Sequence, residues 1–378
     1  MRRLGAYIHI PFCEKKCNYC DFYSSPCTEG VRDSYIEALC KHIELEAPLY
    51  KDYEFDTVYI GGGTPSILTP NSFEKLGKTI KKHLNLTQGA EFTIEINPGT
   101  LTLEKLIAYK SQGVNRLSIG LQSTNDQMLM RLGRIHTLKD FEESYFLARE
   151  CGFDNVSLDL MYGLPNQTLN DLIETLEKAI SYQPEHISAY CLKVEENTPF
   201  GKIEASLNLP DEDFEYLMYE TIVEKLRENG YSQYEISNFS RAGRRSQHNL
   251  KYWLSQEYIG FGPSAHSFFC GERYSYKPSL SEYVESLSKD MLPVKQLEEN
   301  FEHSLDKMDE YVMLRFRLND GVNTSEFYKE FGEEFAKEYP QIEQFVRSGH
   351  VNFDGEKYFF STKGFFVSNY ILTQILKF

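Results

Sequence analysis

Three cysteines near the N-terminus have the spacing of an iron–sulfur site. Cys13, Cys17 and Cys20 lie in the run IPFCEKKCNYCDF over residues 10–22. A [4Fe–4S] cluster normally takes four thiolates, so three thiolates with no obvious fourth leave one iron without a protein ligand. An open coordination position is where a small molecule can bind. Zinc usually takes paired cysteine knuckles or nearby histidines, and no second knuckle follows in the sequence.

The five remaining cysteines have ordinary explanations. Cys40 falls on the apolar face of a predicted helix, which indicates a core position, and Cys191 lies in a strand-like run. The other three are isolated, and the alternative that one of them binds iron stays open: Cys27, Cys151 and Cys270.

The triad and its flanking residues resemble the radical S-adenosylmethionine (SAM) superfamily. The resemblance implies a [4Fe–4S] cluster on Cys13, Cys17 and Cys20 whose open iron is chelated by the amino and carboxylate groups of SAM. It also implies reductive cleavage of SAM to methionine and a 5′-deoxyadenosyl radical. The motif alone leaves the substrate open.

Composition limits the classes of partner and the location. The chain has 378 residues, 41% of them hydrophobic, which suits one large domain plus a smaller one. A net charge of −16 works against nucleic acid as a partner, because phosphate contacts need a basic face. No apolar run is long enough for a transmembrane helix, and the N-terminus lacks the apolar stretch of a signal peptide. We therefore expect a cytoplasmic protein with free thiols.

The first two thirds of the chain alternate strand-like and amphipathic helical runs. The predicted strands are 6–10, 57–61, 91–97, 116–122, 155–162 and 186–194. The predicted helices are 31–46, 72–84, 102–112, 137–151, 168–181 and 211–228. This alternation predicts an α/β fold with a parallel sheet, and six units favour a partial (β/α)6 barrel over a complete eight-stranded one.

The last third changes character. Residues 232–267 show no clear period and are predicted to be irregular. Beyond them we predict helices over 304–317, 324–331 and 334–348, and a hairpin over 351–360 with an Asp-Gly turn. The predicted organisation is a radical SAM core over 1–235, a connecting segment over 236–300 and a smaller, mostly helical, winged-helix-like domain over 301–378.

Residues with ligand-binding chemistry fall near the predicted carboxyl ends of the strands, where ligands gather in parallel sheets. Gly62, Gly63 and Thr64 follow the second strand, and glycine backbone N–H groups there suit a ligand, with an ordinary turn as the alternative. Glu95 puts a carboxylate in an apolar strand, where a buried charge needs a partner.

The next two strands add three more polar candidates. Gln122 ends the fourth strand, and Asp159 lies in the apolar fifth strand, where an unpartnered carboxylate is costly. Arg134 has the fork that suits a carboxylate, although a solvated surface arginine is an equal alternative.

Together these positions resemble the haem-related group of radical SAM proteins, which contains oxygen-independent coproporphyrinogen III dehydrogenase and its haem-chaperone relatives. The resemblance extends over essentially the whole chain. It implies that Tyr19 packs against the adenine of SAM. It also implies that the following residues contact SAM: Tyr7, Gly62, Gly63, Thr64, Glu95, Gln122, Arg134 and Asp159.

Two departures separate this chain from the dehydrogenase. The dehydrogenase motif continues to a fourth cysteine, where this chain has Phe22. The dehydrogenase also carries an N-terminal extension, whereas six residues precede Tyr7 here. Both features favour the haem chaperones.

The run QHNLKYW over residues 247–253 resembles the chaperones' H-N-x-x-Y-W motif, which is implicated in haem binding. Imidazole is a common haem ligand, and aromatic rings suit a macrocycle, so we predict His248 as the axial ligand with His266 as a second candidate. The alternative is structural: Tyr252 and Trp253 anchor this segment on the barrel while His248 makes a hydrogen bond.

The leading hypothesis is a haem chaperone that carries a SAM-bound cluster and delivers haem to acceptor haemoproteins. The resemblance also suggests a homodimer. The alternatives are a coproporphyrinogen III dehydrogenase that makes protoporphyrinogen IX, and a radical SAM oxidoreductase with an unrelated substrate.

Overall fold

The computed structural model describes residues 2–300 and 304–377. Its centre is a run of six parallel strands: β1 (Arg2–Ile10), β2 (Tyr53–Gly62), β3 (Leu86–Ile96), β4 (Arg116–Gln122), β5 (Val156–Tyr162) and β6 (His186–Cys191). Helices connect and follow these strands: α1 (Glu29–Glu46), α2 (Pro70–His83), α3 (Leu103–Gln112), α4 (Asp126–Arg131), α5 (Leu138–Glu150), α6 (Leu169–Ser181) and α7 (Glu212–Glu228). The strands pair in sequence order, which confirms the predicted partial (β/α)6 architecture.

Threonine caps set the starts of several helices. The side chains of Thr102, Thr137 and Thr168 accept backbone N–H bonds from the first turns of α3, α5 and α6. Asp140 completes a capping box with Thr137, and Asp171 completes one with Thr168. The helices therefore begin one residue after the threonines at which the sequence predicted them to start.

The prediction that residues 232–267 are irregular is wrong. This segment contains β7 (Ser232–Gln233), β8 (Asn238–Ser240), α8 (Gln247–Trp253), β9 (Tyr258–Phe261) and the start of β10 (His266–Phe269). The chain continues with β11 (Glu272–Tyr276), α9 (Leu280–Ser288) and β12 (Lys295–Asn300). Within the described residues these strands extend one sheet in the order β12-β11-β10-β9-β1-β2-β3-β4-β5-β6-β8-β7.

The strand β9 connects this extension of the sheet to the first strand of the barrel. It pairs in parallel with β1, with Tyr7 opposite Gly260, on the side of β1 away from β2. The run HNLKYW on α8 directly precedes β9, so this pairing fixes α8 beside the first two strands of the barrel. Local patterns could not reveal it, because the two strands lie about 250 residues apart in sequence.

The C-terminal region is mostly helical with a small sheet, as predicted. Its elements are α10 (Ser304–Arg315), β13 (Val322–Asn323), α11 (Thr324–Phe331), α12 (Phe335–Glu338), α13 (Ile342–Arg347), β14 (Val351–Phe353), β15 (Lys357–Phe360), α14 (Thr362–Phe366) and α15 (Ser368–Ile375). The predicted hairpin is confirmed by the antiparallel pair β14–β15. The single helix predicted over 334–348 is wrong: it breaks at Tyr339, which precedes Pro340 and leaves the helical region.

Aromatic packing and backbone bonds join this region to the barrel. The Phe366 ring on α14 meets Tyr216 of α7 edge-on at 5.3 Å between ring centroids. The backbone N–H of Ile236 donates to the carbonyl of Arg317. The predicted division at residue 301 lies outside the described residues, and the three domain ranges stay predictions. No helix in the described chain is both long and apolar enough to cross a membrane.

Candidate metal centre and adjoining clefts

The cysteine triad lies on the loop that leaves the carboxyl end of β1. The backbone N–H of Cys13 donates to the Ser25 carbonyl at 3.3 Å, which closes the base of the loop. At its tip the N–H of Cys20 donates to the Cys17 carbonyl, also at 3.3 Å. The local folding therefore places the three cysteines on one short loop at the mouth of the barrel.

Polar donors from the barrel approach two of the thiols. Thr64 Oγ1 donates to Cys13 Sγ at 3.5 Å, and Arg134 Nη1 donates to Cys17 Sγ at 3.8 Å. All eight cysteines are free thiols. Burial raises the pKa of Cys20, and the neighbouring Cys17 and Cys13 add to that effect. Thiols in such surroundings become thiolates when a metal supplies positive charge, so the donor set fits an iron cluster.

The described residues contain no group of three or more His, Cys, Asp or Glu side chains arranged around a single metal ion. A [4Fe–4S] cluster differs from such a site, because each cysteine binds a different iron and the sulfurs need not converge on one point. Cys40 is buried on α1, as its apolar pattern predicted, and Cys191 ends β6.

Gly62 and Gly63 bring the end of β2 against the cysteine loop. Gly62 has a φ of +117°, a conformation that other residues rarely adopt. The N–H of Gly63 donates to the Ile10 carbonyl at 2.8 Å, and a Cβ at this position would lie 2.6 Å from the Phe12 carbonyl oxygen and 3.0 Å from Cys13 Sγ. The glycine at position 63 is therefore needed for the position of Cys13. Its predicted contact with SAM stays a prediction.

Two carboxylates face the interior of the barrel. Glu95 accepts hydrogen bonds from Tyr59 OH at 2.8 Å and from the Gly62 N–H at 3.1 Å. Burial raises the pKa of Glu95 to about 7. Asp159 accepts from Ser118 Oγ at 3.1 Å, and burial raises its pKa as well. Both groups have capacity left for further donors, as a ligand amine or hydroxyl would provide.

The end of β4 brings Gln122 and Arg134 together. Arg134 Nη2 donates to the Gly120 carbonyl at 3.1 Å and also contacts Asn97 Oδ1. Gln122 has a φ of +64°, which is uncommon for a residue with a side chain and recurs at functional sites. A Cβ on Gly120 would lie 2.9 Å from Gln122 Nε2 and 3.2 Å from Arg134 Nη2.

Tyr19 joins this group from the cysteine loop. Burial raises its pKa, with Arg134 acting in the opposite direction through a hydrogen bond and its charge. The Tyr19 side chain packs against a small apolar cluster that includes Met128 and Leu132. The structure therefore brings Tyr19, Arg134 and Cys17 together at the cysteine loop.

Two adjoining clefts open beside this centre. The first, of about 210 Å³, contains Gly62, Glu95 and His248 among its walls, and the second, of about 350 Å³, contains His9 and His266. We call them the barrel cleft and the outer cleft. Their shared walls are Tyr7, Phe22 and Tyr252. Tyr7 therefore lines both clefts, and its predicted contact with SAM stays a prediction.

Sequence reasoning missed most of the aromatic lining. Tyr59 stacks between Tyr7, at 6.3 Å, and His248, at 5.2 Å between ring centroids. His9 stacks on Tyr23 at 6.4 Å. A signal existed in the alternation of Tyr7 and His9 along β1, because alternate residues of a strand share a face. Nothing local indicated that Tyr23 or Tyr252 would meet them.

His248 is buried between the barrel and its own helix. Its Nδ1 lies 2.8 Å from Thr57 Oγ1, and its Nε2 lies 2.8 Å from Tyr252 OH. Burial lowers the pKa of His248 to about 3, with Lys251 and Arg116 adding to the effect. These are the hydrogen bonds that the structural alternative requires, and the predicted haem ligation by His248 stays a prediction.

Comparison with known proteins gives the family. The family model for the radical SAM superfamily matches residues 7–179, and that for the HemN C-terminal domain matches residues 303–367. The chain is 38% identical over 341 residues to "Heme chaperone HemW" of Bacillus subtilis, covering 89% of each protein. It is 34% identical over 375 residues to the protein of the same name in Lactococcus lactis, covering 98% of this chain and 97% of that one. The chain belongs to the HemW family.

A solved structure shows that the fold is shared. The coproporphyrinogen III oxidase HemN of Escherichia coli aligns with a TM-score of 0.86 at 22% identity, covering 100% of this chain and 90% of that one. This match confirms the radical SAM α/β fold with its C-terminal region. Membership of the radical SAM superfamily implies a [4Fe–4S] cluster and SAM.

Proposed function

We propose that this HemW-family protein binds haem and delivers it to acceptor haemoproteins. Relatives of the same length carry the name heme chaperone, which supports this proposal. In the proposal Cys13, Cys17 and Cys20 hold a [4Fe–4S] cluster whose open iron takes SAM. A cytoplasmic location, a homodimer and the absence of a nucleic-acid partner belong to the same proposal.

The main structural support for haem binding is the wall that the two clefts share. Phe22 comes from the loop of the cluster cysteines and Tyr252 from the HNLKYW helix, and both line both clefts. Aromatic faces give a flat apolar macrocycle extensive contact. Phe22 is 69% exposed, so a ligand held there stays accessible to a partner protein. Accessibility suits a carrier, which must release what it binds.

The side chains beside the cysteine loop match the charged groups of SAM. The Glu95 carboxylate suits the amino group of SAM, and the Arg134 fork suits its carboxylate. The proposed contacts are Tyr7, Tyr19, Gly62, Gly63, Thr64, Glu95, Gln122, Arg134 and Asp159. The bound cluster and SAM supply one-electron chemistry; the residues of the chain bind, orient and shield them.

Haem titration tests the function directly. The full chain, prepared anaerobically with its cluster, is titrated with ferric and then ferrous haem while the Soret band is recorded. The loaded protein is then mixed with an apo-haemoprotein. We expect saturable binding with a shifted Soret band, followed by transfer to the acceptor. Absence of both changes would contradict the proposal.

The dehydrogenase alternative is tested with the same preparation. The protein is incubated anaerobically with SAM, a reductant and coproporphyrinogen III, and the porphyrinogens are separated by chromatography. Because Phe22 stands where the dehydrogenase has a fourth cysteine, we expect no protoporphyrinogen IX. Formation of protoporphyrinogen IX at a catalytic rate would show that the protein is a dehydrogenase and not a haem carrier.

A further inference from the structure

Arg116 is the largest side chain among the almost fully buried residues of the described chain. It begins β4, carries a positive charge and is 2% exposed. Its Nε has no hydrogen-bond partner in the described part of the chain. A buried charge is costly, and replacing buried ions by apolar side chains of similar volume is often neutral or stabilising. Stability alone therefore gives no reason for an arginine at this position.

The register of the sheet places Arg116 on the same face as Glu95, which faces the interior of the barrel. Arg116 lies opposite Thr93 of β3, and Ser118, the next β4 residue on that face, lies opposite Glu95. Glu95 is therefore one strand across and two residues along from Arg116, about 8 Å between Cα atoms. An arginine side chain is long enough to span that distance.

Ser118 connects this face to the second carboxylate of the site. Its Oγ lies 3.2 Å and 3.1 Å from the two carboxylate oxygens of Asp159 on β5. Burial raises the pKa of Glu95 and of Asp159, and at Glu95 the like charge of Asp159 adds to the effect. The charge of Arg116 acts in the opposite direction on the pKa of both carboxyls.

The other groups around the two carboxylates do not supply this positive charge. A second cation, Arg134, acts on Asp159, but it already donates to Asn97, to the Gly120 carbonyl and to Cys17 Sγ. The remaining titratable groups are tyrosines and histidines whose pKa values burial moves away from neutrality: Tyr7, Tyr59, Tyr190, Tyr252, His186 and His248. In the described part of the barrel, Arg116 is therefore the cation left to balance both carboxylates.

We propose that Arg116 is a positioning residue for SAM, because its charge keeps Glu95 and Asp159 negative and able to accept the ligand's donors. This inference rests on the proposed binding of SAM and deepens it. An ionised carboxylate accepts hydrogen bonds at both oxygens and attracts an ammonium group, whereas a protonated carboxyl loses that attraction. Glu95 lines the barrel cleft, and Arg116 is not among the described lining residues, so it acts through the carboxylates.

SAM binding as a function of pH tests the charge of Arg116. The full, cluster-loaded chain is equilibrated anaerobically with SAM by dialysis from about pH 6 to 9. Arg116→Gln and Arg116→Met remove the charge in two different shapes, and Arg116→Lys keeps it. Arg149→Gln is the matched control, because Arg149 pairs with Glu185 at 2.9 Å and lies on the helix α5. The amino group of SAM itself titrates equally in every sample.

We expect the wild-type affinity for SAM to rise with pH around a midpoint near 7, where Glu95 loses its proton. Both neutral variants should move that midpoint upward by about one pH unit and bind SAM about tenfold more weakly at pH 7. Arg116→Lys and Arg149→Gln should keep the wild-type midpoint. A purely structural role of Arg116 predicts instead weaker binding at every pH with an unchanged midpoint.

Infrared spectra of the cluster-free chain give a second readout that needs no SAM. At about pH 8 the neutral variants should show an added band of a protonated carboxyl, which a second substitution, Glu95→Gln or Asp159→Asn, removes. An unchanged SAM midpoint together with no added band would overturn this inference and leave the proposed SAM and haem binding intact. A wild-type chain that binds no SAM at any pH would overturn both the inference and the proposed SAM site.

Discussion

Lys251 Nζ lies 2.7 Å from Asp56 Oδ1, and this ion pair joins the HNLKYW helix to the second strand of the barrel. The two partners differ in burial: the Lys251 side chain is 2% exposed and that of Asp56 is 30% exposed. Water can therefore compensate the carboxylate if the lysine is removed, but it cannot compensate the ammonium group if the aspartate is removed.

We expect the two truncations of this pair to have unequal costs. Asp56→Ala should lower the free energy of unfolding by about 3 kcal/mol, because it leaves a buried charge without its partner. Lys251→Met should cost about 1 kcal/mol, because the remaining carboxylate reaches water. Urea denaturation of the cluster-free chain measures both. Equal losses would show that burial does not control the energy of this pair.

The raised pKa of Glu95 predicts a specific pH dependence. The folded chain holds this proton up to about pH 7, whereas the ordinary value is 4.5. Between these values the folded state binds more protons than the unfolded state, so this group makes stability fall as pH rises. Relative to Glu95→Gln, the wild type should lose about 1–3 kcal/mol between about pH 4.5 and 8.

Denaturant titrations of the SAM-free protein across this pH range check the Glu95 prediction. Glu54→Gln, at a partly exposed ion pair with Arg3, is the control and should keep the wild-type profile. Parallel profiles for Glu95→Gln and wild type would contradict a buried, proton-retaining carboxyl.

Gly63→Ala should impair cluster loading. The added methyl group would lie 2.6 Å from the Phe12 carbonyl oxygen and 3.0 Å from Cys13 Sγ, so the cysteine loop must move. Gly30→Ala is the matched control, because a Cβ there meets nothing within 4 Å. We expect Gly63→Ala to lose most of its iron and acid-labile sulfide after reconstitution and Gly30→Ala to lose none. Equal iron and sulfide contents in the two variants would show that the cysteine loop tolerates the added methyl group.

Phe22→Ala should weaken haem binding without changing the cluster. The ring is 69% exposed, so its removal costs little stability, yet it lines both clefts. We expect about tenfold weaker binding, near 1.4 kcal/mol, in a Soret titration. Phe146→Ala, 51% exposed on α5, serves as the control with unchanged affinity. Unchanged affinity in Phe22→Ala would place haem away from these clefts.

The parts of the fold that the sequence predicted depend on local signals. The six core strands are buried runs between capped helices, and Thr137 and Thr168 mark helix starts within one residue. The strand β9 has only four residues before Gly262-Pro263, and its pairing with β1 is a long-range contact. The break at Tyr339 had a local signal in Pro340, which should have ended the predicted helix.

The candidate site also combines residues that local sequence identifies with residues that only the fold brings together. The spacing of Cys13, Cys17 and Cys20 is written within eight consecutive residues and needs no tertiary information. The surroundings of His248 depend on Thr57, 191 positions away, and on a tyrosine one turn along its own helix. Residue chemistry identified the imidazole as a ligand candidate, but only the fold shows that both its nitrogens have partners.

The parallel pairing of β9 with β1 also orders events during synthesis. A ribosome makes Cys13, Cys17 and Cys20 some 240 residues before it makes Tyr258–Phe261. Until then β1 has no neighbour on one side, and Tyr252 and His266 do not yet exist beside Tyr7. The thiols can meet iron while the chain is still growing, whereas the cleft next to them forms only after β9 has been made.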